Sequence, residues 1–274
     1  MSVSVLTLNI WHNNGPYPAR RALIRDWIAR LRPDLIAFQE VLRGPGCDQL
    51  HDLTDGFGYH VDFVSAVPFW NDTTLEFGNA VAARWPLRDR ETIVLPDAGD
   101  GEMRAALSVT VDTPFGPIGF TVTHLNWKPH HGWIRERQVI AVGDLSRWRR
   151  PRNGFPPILA GDFNAEPDST EIRYIKGLHA LDGQSVHFHD AWAIAGAGPG
   201  ITWSNRNPYA RQALEPDRRI DYIFAGRPLP NGAGLIESCR VVGDTPEEGI
   251  WPSDHFGIFA ELRTEPFDRR ADNS

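Results

Sequence analysis

The sequence predicts an α/β fold in one large domain, and three observations carry that expectation. Short apolar runs of strand length end in a single polar residue, as at Asn9, Glu40, His124 and Asp162. Two segments, 19 to 31 and 133 to 148, place apolar residues at helical spacing. Residues 59–63, 79–83, 90–95 and 104–111 read as strands parted by turn-rich pieces, the pattern of an antiparallel meander.

A chain of 274 residues lies near the upper end for a single core, and its composition shifts nowhere like a linker. We therefore expect one domain over 1–265 and a polar tail over 266–274. With 41% hydrophobic and 23% charged residues there is material for a buried core and no signature of disorder. No internal repeat or low-complexity tract is visible. The first residues, Met1 to Leu6, reach polar Asn9 at once and lack the basic start and long apolar segment of a signal peptide. No run approaches the length of a membrane span. Cys47 and Cys239, far apart, make neither a disulfide framework nor, alone, a structural zinc site. A cytoplasmic location is the expectation; the sequence gives no oligomeric state.

Charge narrows the partners. Thirty-five acidic against 28 basic residues leave a net charge of −7, whereas long nucleic acids are met by basic surfaces that displace counterions. The densest basic cluster, Arg147, Arg149, Arg150 and Arg152, falls at the end of a predicted helix, where cations complement the dipole, and reads as a solvated helix end.

Taken in order, residues 3 to 8 form an inner strand delivering Asn9. Leu23, Ile24, Trp27, Ile28 and Leu31 mark one helix face, bounded by Pro18 and Pro33. The run 34–41 carries Glu40 between apolar neighbours, so its charge needs either the surface or a metal ion. The strand 118–123 delivers His124, followed by Asn126, Lys128, His130 and His131. Three histidines so close raise a transition-metal site, but their surroundings offer carboxylates rather than soft ligands.

The stretch Pro157 to Pro167 is the most informative. Its apolar run enters Gly161 and then presents Asp162 and Asn164 two positions apart, so both side chains leave the strand end on one side. Asp162 can take a proton or bind a hard cation, and Asn164 can orient a water; the same pair also suits an Asx turn before a helix. Asp168 with Glu171 has the spacing of a capping box for a short helix ending at Gly177. Asp221 lies inside an apolar strand and demands a buried partner such as histidine or arginine. Asp254 and His255 open a last strand and, being adjacent, point to opposite faces for different tasks.

Asn9, Gln39-Glu40, Thr123-His124-Leu125, Gly161-Asp162-Phe163-Asn164, Arg219-Ile220-Asp221-Tyr222 and Ser253-Asp254-His255, in this order over residues 3 to 262, resemble the endonuclease/exonuclease/phosphatase superfamily. The resemblance implies a four-layer α/β sandwich, two mixed, mainly antiparallel sheets face to face between helices, with the site where strand ends of both sheets meet. It further implies hydrolysis of phosphate esters with Mg²⁺, or Mn²⁺. On that pattern Glu40 is the main metal ligand, with Asn9 and Asp254 beside it. Asp162 and Asn164 position the attacking water, and His255, oriented by Asp221, contacts the phosphate. His124 matches a second histidine of the deoxyribonuclease and sphingomyelinase branches, with Glu76 as its supporting acid. Arg104 corresponds to a phosphate-contacting arginine, and Asn126 and Lys128 fall beside the substrate. The abasic-site branch has an aspartate two residues after the first asparagine, where this chain has Trp11, so the DNA-repair role is not implied.

The sequence therefore reads as a phosphoesterase for a small or lipid-linked phosphate. Phe69, Trp70, Trp127, Trp133, Trp203 and Trp251 offer rings for a base or an apolar group, while most of the 10 Trp belong to the core. A nuclease is the alternative, and an inactive binding module is opposed by the complete set of site residues. Isolated cations such as Arg104, Lys128, Arg206 or Arg211 are expected around the site.

Overall fold

The computed structural model describes residues 1–149 and 154–267. Strand β1 (Ser2–Asn9) leads through a loop to helix α1 (Tyr17–Leu31), then to β2 (Leu35–Gly44), the short β3 (Cys47–Asp48) and α2 (Gln49–Thr54). The meander follows as β4 (His60–Phe69), β5 (Asp72–Ala83), β6 (Leu87–Val94), β7 (Ala105–Thr113) and β8 (Gly116–His124). A 3₁₀ turn at Pro129–His131 and α3 (Gly132–Arg147) carry the chain to β9 (Ile158–Asp162) and α4 (Thr170–Ile175). The last elements are β10 (Phe188–Asp190), α5 (Ala191–Ala195), α6 (Pro208–Arg211), β11 (Asp221–Gly226), β12 (Ile236–Val242) and β13 (Gly257–Arg263).

These strands form two sheets. One has the order β12-β13-β1-β2-β5-β4 with β3 on β2, and the other β10-β11-β9-β8-β7-β6. Each contains one parallel pair, β1 with β2 and β8 with β9, among antiparallel neighbours. Apolar residues of the inner faces, among them Val5, Ala37 and Val81 from one sheet and Val109, Phe120 and Ala160 from the other, make one continuous core. A second cluster joins Val139, Val142 and Ile172 of α3 and α4 to the outer face of the β9 sheet. A third joins Ile24 and Ile28 of α1 to the outer face of the β1 sheet. Helix, sheet, sheet and helix are thus the four layers expected, because a sheet that is apolar on both faces must be covered on both.

Several local expectations are corrected. Helix α1 begins at Tyr17, two residues before the expected start, because Pro18 sits in its first turn, where a missing N–H costs nothing. The cap of α4 is Ser169, whose hydroxyl accepts from the Ile172 N–H at 3.5 Å, not Asp168. Glu171 makes no capping box but a buried ion pair with Arg135 at 2.9 Å, pinning α4 to α3. Of the basic cluster, Arg147 sits in the last turn of α3 and Arg149 pairs with Glu91, while Arg150 and Arg152 lie outside the described residues. The expected tail begins later than 266, since the Phe267 N–H donates to Asn231 O at 2.7 Å; residues 268–274 lie outside the described residues. No helix among the described residues is long and apolar enough to cross a membrane.

One buried cation holds the loop after β1. Trp11 and His12 adopt successive left-handed conformations, φ 56° and 31°, which L side chains avoid. Arg20, fully buried, offsets this by donating to five backbone carbonyls. Its Nε reaches Asn14 O at 2.9 Å, Nη1 reaches Ile10 O and Pro252 O at 2.8 and 3.0 Å, and Nη2 reaches Trp11 O and His12 O, both at 3.0 Å. The guanidinium fork thereby ties the β1–α1 loop to the segment that precedes Asp254. Replacing Arg20 with Met would strand several buried carbonyls, and we expect a loss of at least ~3 kcal/mol in urea unfolding. Arg20→Lys should recover little, because three donors on one nitrogen cannot span five acceptors. A loss under ~1 kcal/mol for Arg20→Met would mean the loop is held by other contacts.

Candidate active site

The C-terminal ends of the two parallel pairs converge. In one sheet Asn9 lies in register with Gln39, so Glu40 follows immediately beside it. Glu40 takes φ 60° at a break in the β2–β5 pairing between Phe38 and Val41, which turns its carboxylate out of the strand repeat. In the other sheet His124, Asp162 and Asp221 stand side by side, His124 in register with Asp162 and Asp162 with Asp221. Gly161 permits this, since a Cβ there would lie 2.0 Å from Thr123 O of the neighbouring strand.

Asn9 connects the sheets. Its Nδ2 donates to Glu40 Oε1 at 3.2 Å and to Asp162 Oδ2 at 3.1 Å, while its Oδ1 accepts from the Trp11 N–H at 3.0 Å. Ser253 Oγ donates to Asn9 O at 2.6 Å and fixes the approach of Asp254 and His255. Asn164, in a left-handed conformation at φ 49°, donates its N–H to Asp162 Oδ1 at 2.9 Å and its side-chain amide to Leu125 O at 3.1 Å.

His255 and Asp221 form the buried pair that the apolar strand demanded. The Nδ1–H of His255 donates to Asp221 Oδ2 at 2.9 Å, and its Nε2 lies 3.7 Å from Asp162 Oδ2. Burial works against charge on this imidazole, but Asp221, Asp162 and Asp254 outweigh it and hold its pKa well above the usual histidine value. His124 is the opposite case. Burial, then Arg104 and His255, push its pKa well below the ordinary value, so the ring is neutral near pH 7. Arg104 Nη1 lies 3.0 Å from His124 Nδ1 and can only donate, which leaves the ring proton on Nε2, 3.4 Å from Asp162 Oδ2.

The carboxyls of Glu40, Asp162 and Asp254 are all raised, first by burial. Asp221 adds to the shift at Asp162, and Glu40 to that at Asp254. Ligand atoms of Asp162, Asp221 and His255 lie within 4.8 Å of one another, and Asp221 Oδ1 is buried without a hydrogen-bond partner. The carboxylates of Glu40, Asp162 and Asp254, with Asn9 bonded to the first two, are oxygen donors that suit a hard divalent cation.

A cavity of about 720 Å³ opens over these residues. Lys128 and Arg104 line it as expected, each engaged by an acid: Lys128 with Asp100, and Arg104 with Glu102 at 2.9 Å. Three expectations are corrected. Glu76 is exposed and in register with Arg43 and Pro68, away from His124; strand alternation turns Phe77, not Glu76, toward that ring, with centroids 6.5 Å apart. Asn126 is fully buried behind the cavity wall, bonded to Gln138 and His131. Arg206 and Arg211 do not line the cavity, and Arg218, paired with Glu215, does. His131 groups with Asp100 and Glu102 rather than with His124, so the three histidines form no common site. His12 was missed altogether, although its Nε2 stands 4.0 Å from Glu40 Oε2 and its ring lines the cavity.

Fold and site together define a phosphoester-hydrolase scaffold in which both sheets contribute to one buried acidic centre. The chain belongs to the Endonuclease/Exonuclease/phosphatase family, whose family model matches residues 6–255. Members of that family are phosphoester hydrolases that generally use divalent metal ions. Among solved structures, an endonuclease/exonuclease/phosphatase of Beutenbergia cavernae is similar at 26% identity and TM-score 0.70, over 96% of this chain and 71% of that one. D. rerio TDP2, solved with a single strand DNA product, has the same fold at 19% identity and TM-score 0.75, over 96% and 99%. Nocturnin of Rattus norvegicus is 22% identical over 89% of this chain, which spans 58% of nocturnin's length.

The His255–Asp221 bond makes a quantitative expectation. Removing either side chain should lower turnover of a phosphate ester on the order of 10²-fold or more, and the double variant should be little worse than the worse single. Strictly additive losses in such a double-mutant cycle would mean the two residues do not act as a unit.

Proposed function

We propose that this protein is a divalent-metal-dependent hydrolase of small or lipid-linked phosphate esters, acting by in-line attack of water. Asn9, Glu40 and Asp254 would hold Mg²⁺ or Mn²⁺, which when bound neutralises charge that develops on the phosphoryl oxygens. Asp162, its carboxyl raised by burial and by Asp221, takes the proton of the attacking water. Asn164, locked by its bonds to Asp162 and Leu125, fixes where that water sits. As the new O–P bond forms, the P–O ester bond opposite breaks and the alcohol leaves with a proton from solvent. His255, kept charged by its carboxylate neighbours, donates from Nε2 to a non-bridging oxygen, and Asp221 sets its orientation. Neutral His124 supplies a second donor through Nε2–H.

What supports a small substrate is the charge of the cavity. Glu40, Asp100, Glu102, Asp162, Glu215 and Asp254 line it, against Arg104, Lys128, Arg218 and the charged His255. Such a surface attracts a dication and one phosphate but repels a long polyanion. A nuclease is the second reading, favoured by the likeness to a fold solved with a DNA product.

Turnover should require Mg²⁺ or Mn²⁺ and stop on chelation, and Glu40→Gln should weaken Mg²⁺ binding in titration calorimetry more than Asn164→Ala. KM for bis-p-nitrophenyl phosphate should change little with NaCl at saturating Mg²⁺. A nuclease would instead cleave plasmid with affinity falling by roughly 0.9 log unit per log unit of salt for each phosphate gripped. Full activity after exhaustive chelation would remove the metal-dependent reading. Plasmid cleavage with that steep slope, and no turnover of small esters, would transfer the assignment to a nuclease.

A further inference from the structure

One wall of the cavity is built of rings, and it is continuous with the acidic centre. Trp70 sits at the tip of the β4–β5 hairpin, 60% exposed, while Phe69 and Phe77 beside it are buried. Ring centroids step inward from Trp70 to Phe77 at 5.1 Å and from Phe77 to His124 at 6.5 Å. A second step runs from Trp70 to His12 at 5.5 Å, and His12 abuts Glu40. Trp70 is thus an indole braced by three rings, Phe69, Phe77 and His12, and still largely exposed where it lines the cavity. An exposed indole held by buried rings is ordered before binding, so a flat group can stack on it without an ordering cost.

The cations of the same cavity are already engaged. Arg104 is held by Glu102, Lys128 by Asp100 and Arg218 by Glu215, so a second anionic group on the substrate would have to break an ion pair. Resting on the phosphoesterase reading above, we propose that the substrate's organic group is an uncharged ring system that stacks on Trp70, so the site selects by ring and not by charge or chain length. The shared chemistry is a flat ring attached near the phosphate, whether a nucleobase or a simple aryl group.

The test keeps methyl as the second ester group, so that no common ring is present, and varies the first: methyl, hexyl, phenyl and thymidine 5′ diesters of methyl phosphate, with Mg²⁺ and turnover followed by ³¹P NMR. We expect KM for the phenyl and thymidine esters at least about tenfold below that of the methyl ester, with hexyl closer to methyl. Trp70→Ala should raise KM for the ring esters toward the methyl value, and Trp70→Phe should keep most of the preference. Thr73→Ala, exposed on the same hairpin, should leave it intact. The phenyl-to-thymidine ratio distinguishes an aryl group from a nucleobase. Equal KM for phenyl and methyl, or a hexyl ester bound as well as phenyl, would overturn the proposal while leaving the phosphoesterase reading in place. No turnover of any of the four would instead count against that reading.

Discussion

The carboxamide of Asn9 is the contact on which the site depends. One Nδ2 group donates at once to Glu40 in its own sheet and to Asp162 in the other, at 3.2 and 3.1 Å. A half-buried carboxylate and a buried one would otherwise repel across the gap between the sheets, and a neutral donor joins them without adding a charge that would compete with a cation. The placement follows from topology. Each sheet has one parallel pair, and the four strands β1, β2, β8 and β9 deliver Asn9, Glu40, His124 and Asp162 to one edge of the sandwich. The apolar layer between the sheets keeps those ends in fixed register.

Holding acids this close and this buried costs stability, and the backbone bears part of that cost. Glu40 at φ 60° and Asn164 at φ 49° are both left-handed, a conformation L residues adopt only where surroundings impose it. At Asn164 the imposing contacts are visible, since its backbone N–H is bonded to Asp162 and its side-chain amide to Leu125 O. Farther out, Arg20 offsets the strain at Trp11 and His12 and links their loop to the approach of Asp254. The fold thus spends local order where charge must be concentrated.

Much of this was legible in the sequence because strand ends declare themselves: an apolar run that stops at one polar residue marks Asn9, His124 and Asp162, whereas Glu40, expected at a strand end, lies inside β2 at the break in its pairing with β5. The buried partner of Asp221 could be inferred from cost alone, and His255 meets it at 2.9 Å. Failures arose where period or locality misleads. Glu76 is suggested by the family resemblance, but strand alternation gives that face to Phe77. Glu171 sits at capping-box spacing, yet a long-range pairing with Arg135 prevails. Asn126 follows His124 by two residues, but the strand has ended and its side chain turns to Gln138. His12 and Arg20 carry no apolar signal: one sits on a left-handed turn, and the other is a cation that shares the buried face of α1 with Ile24 and Ile28, where a charged residue reads as solvent-facing.

The proposal on which the function rests is that Asn9 of β1, Glu40 of β2 and Asp254 before β13, all at one end of the same sheet, hold one divalent cation. Crystals equilibrated with Mn²⁺ and measured at the manganese absorption edge test it directly, because the anomalous map locates the ion without reference to activity. The strongest peak is expected among Asn9, Glu40 and Asp254. The competing oxygen-rich group on the cavity rim, Asp100, Glu102 and His131, already meets Lys128 and Arg104. A strongest peak there, or no peak beside Glu40, would contradict the claim.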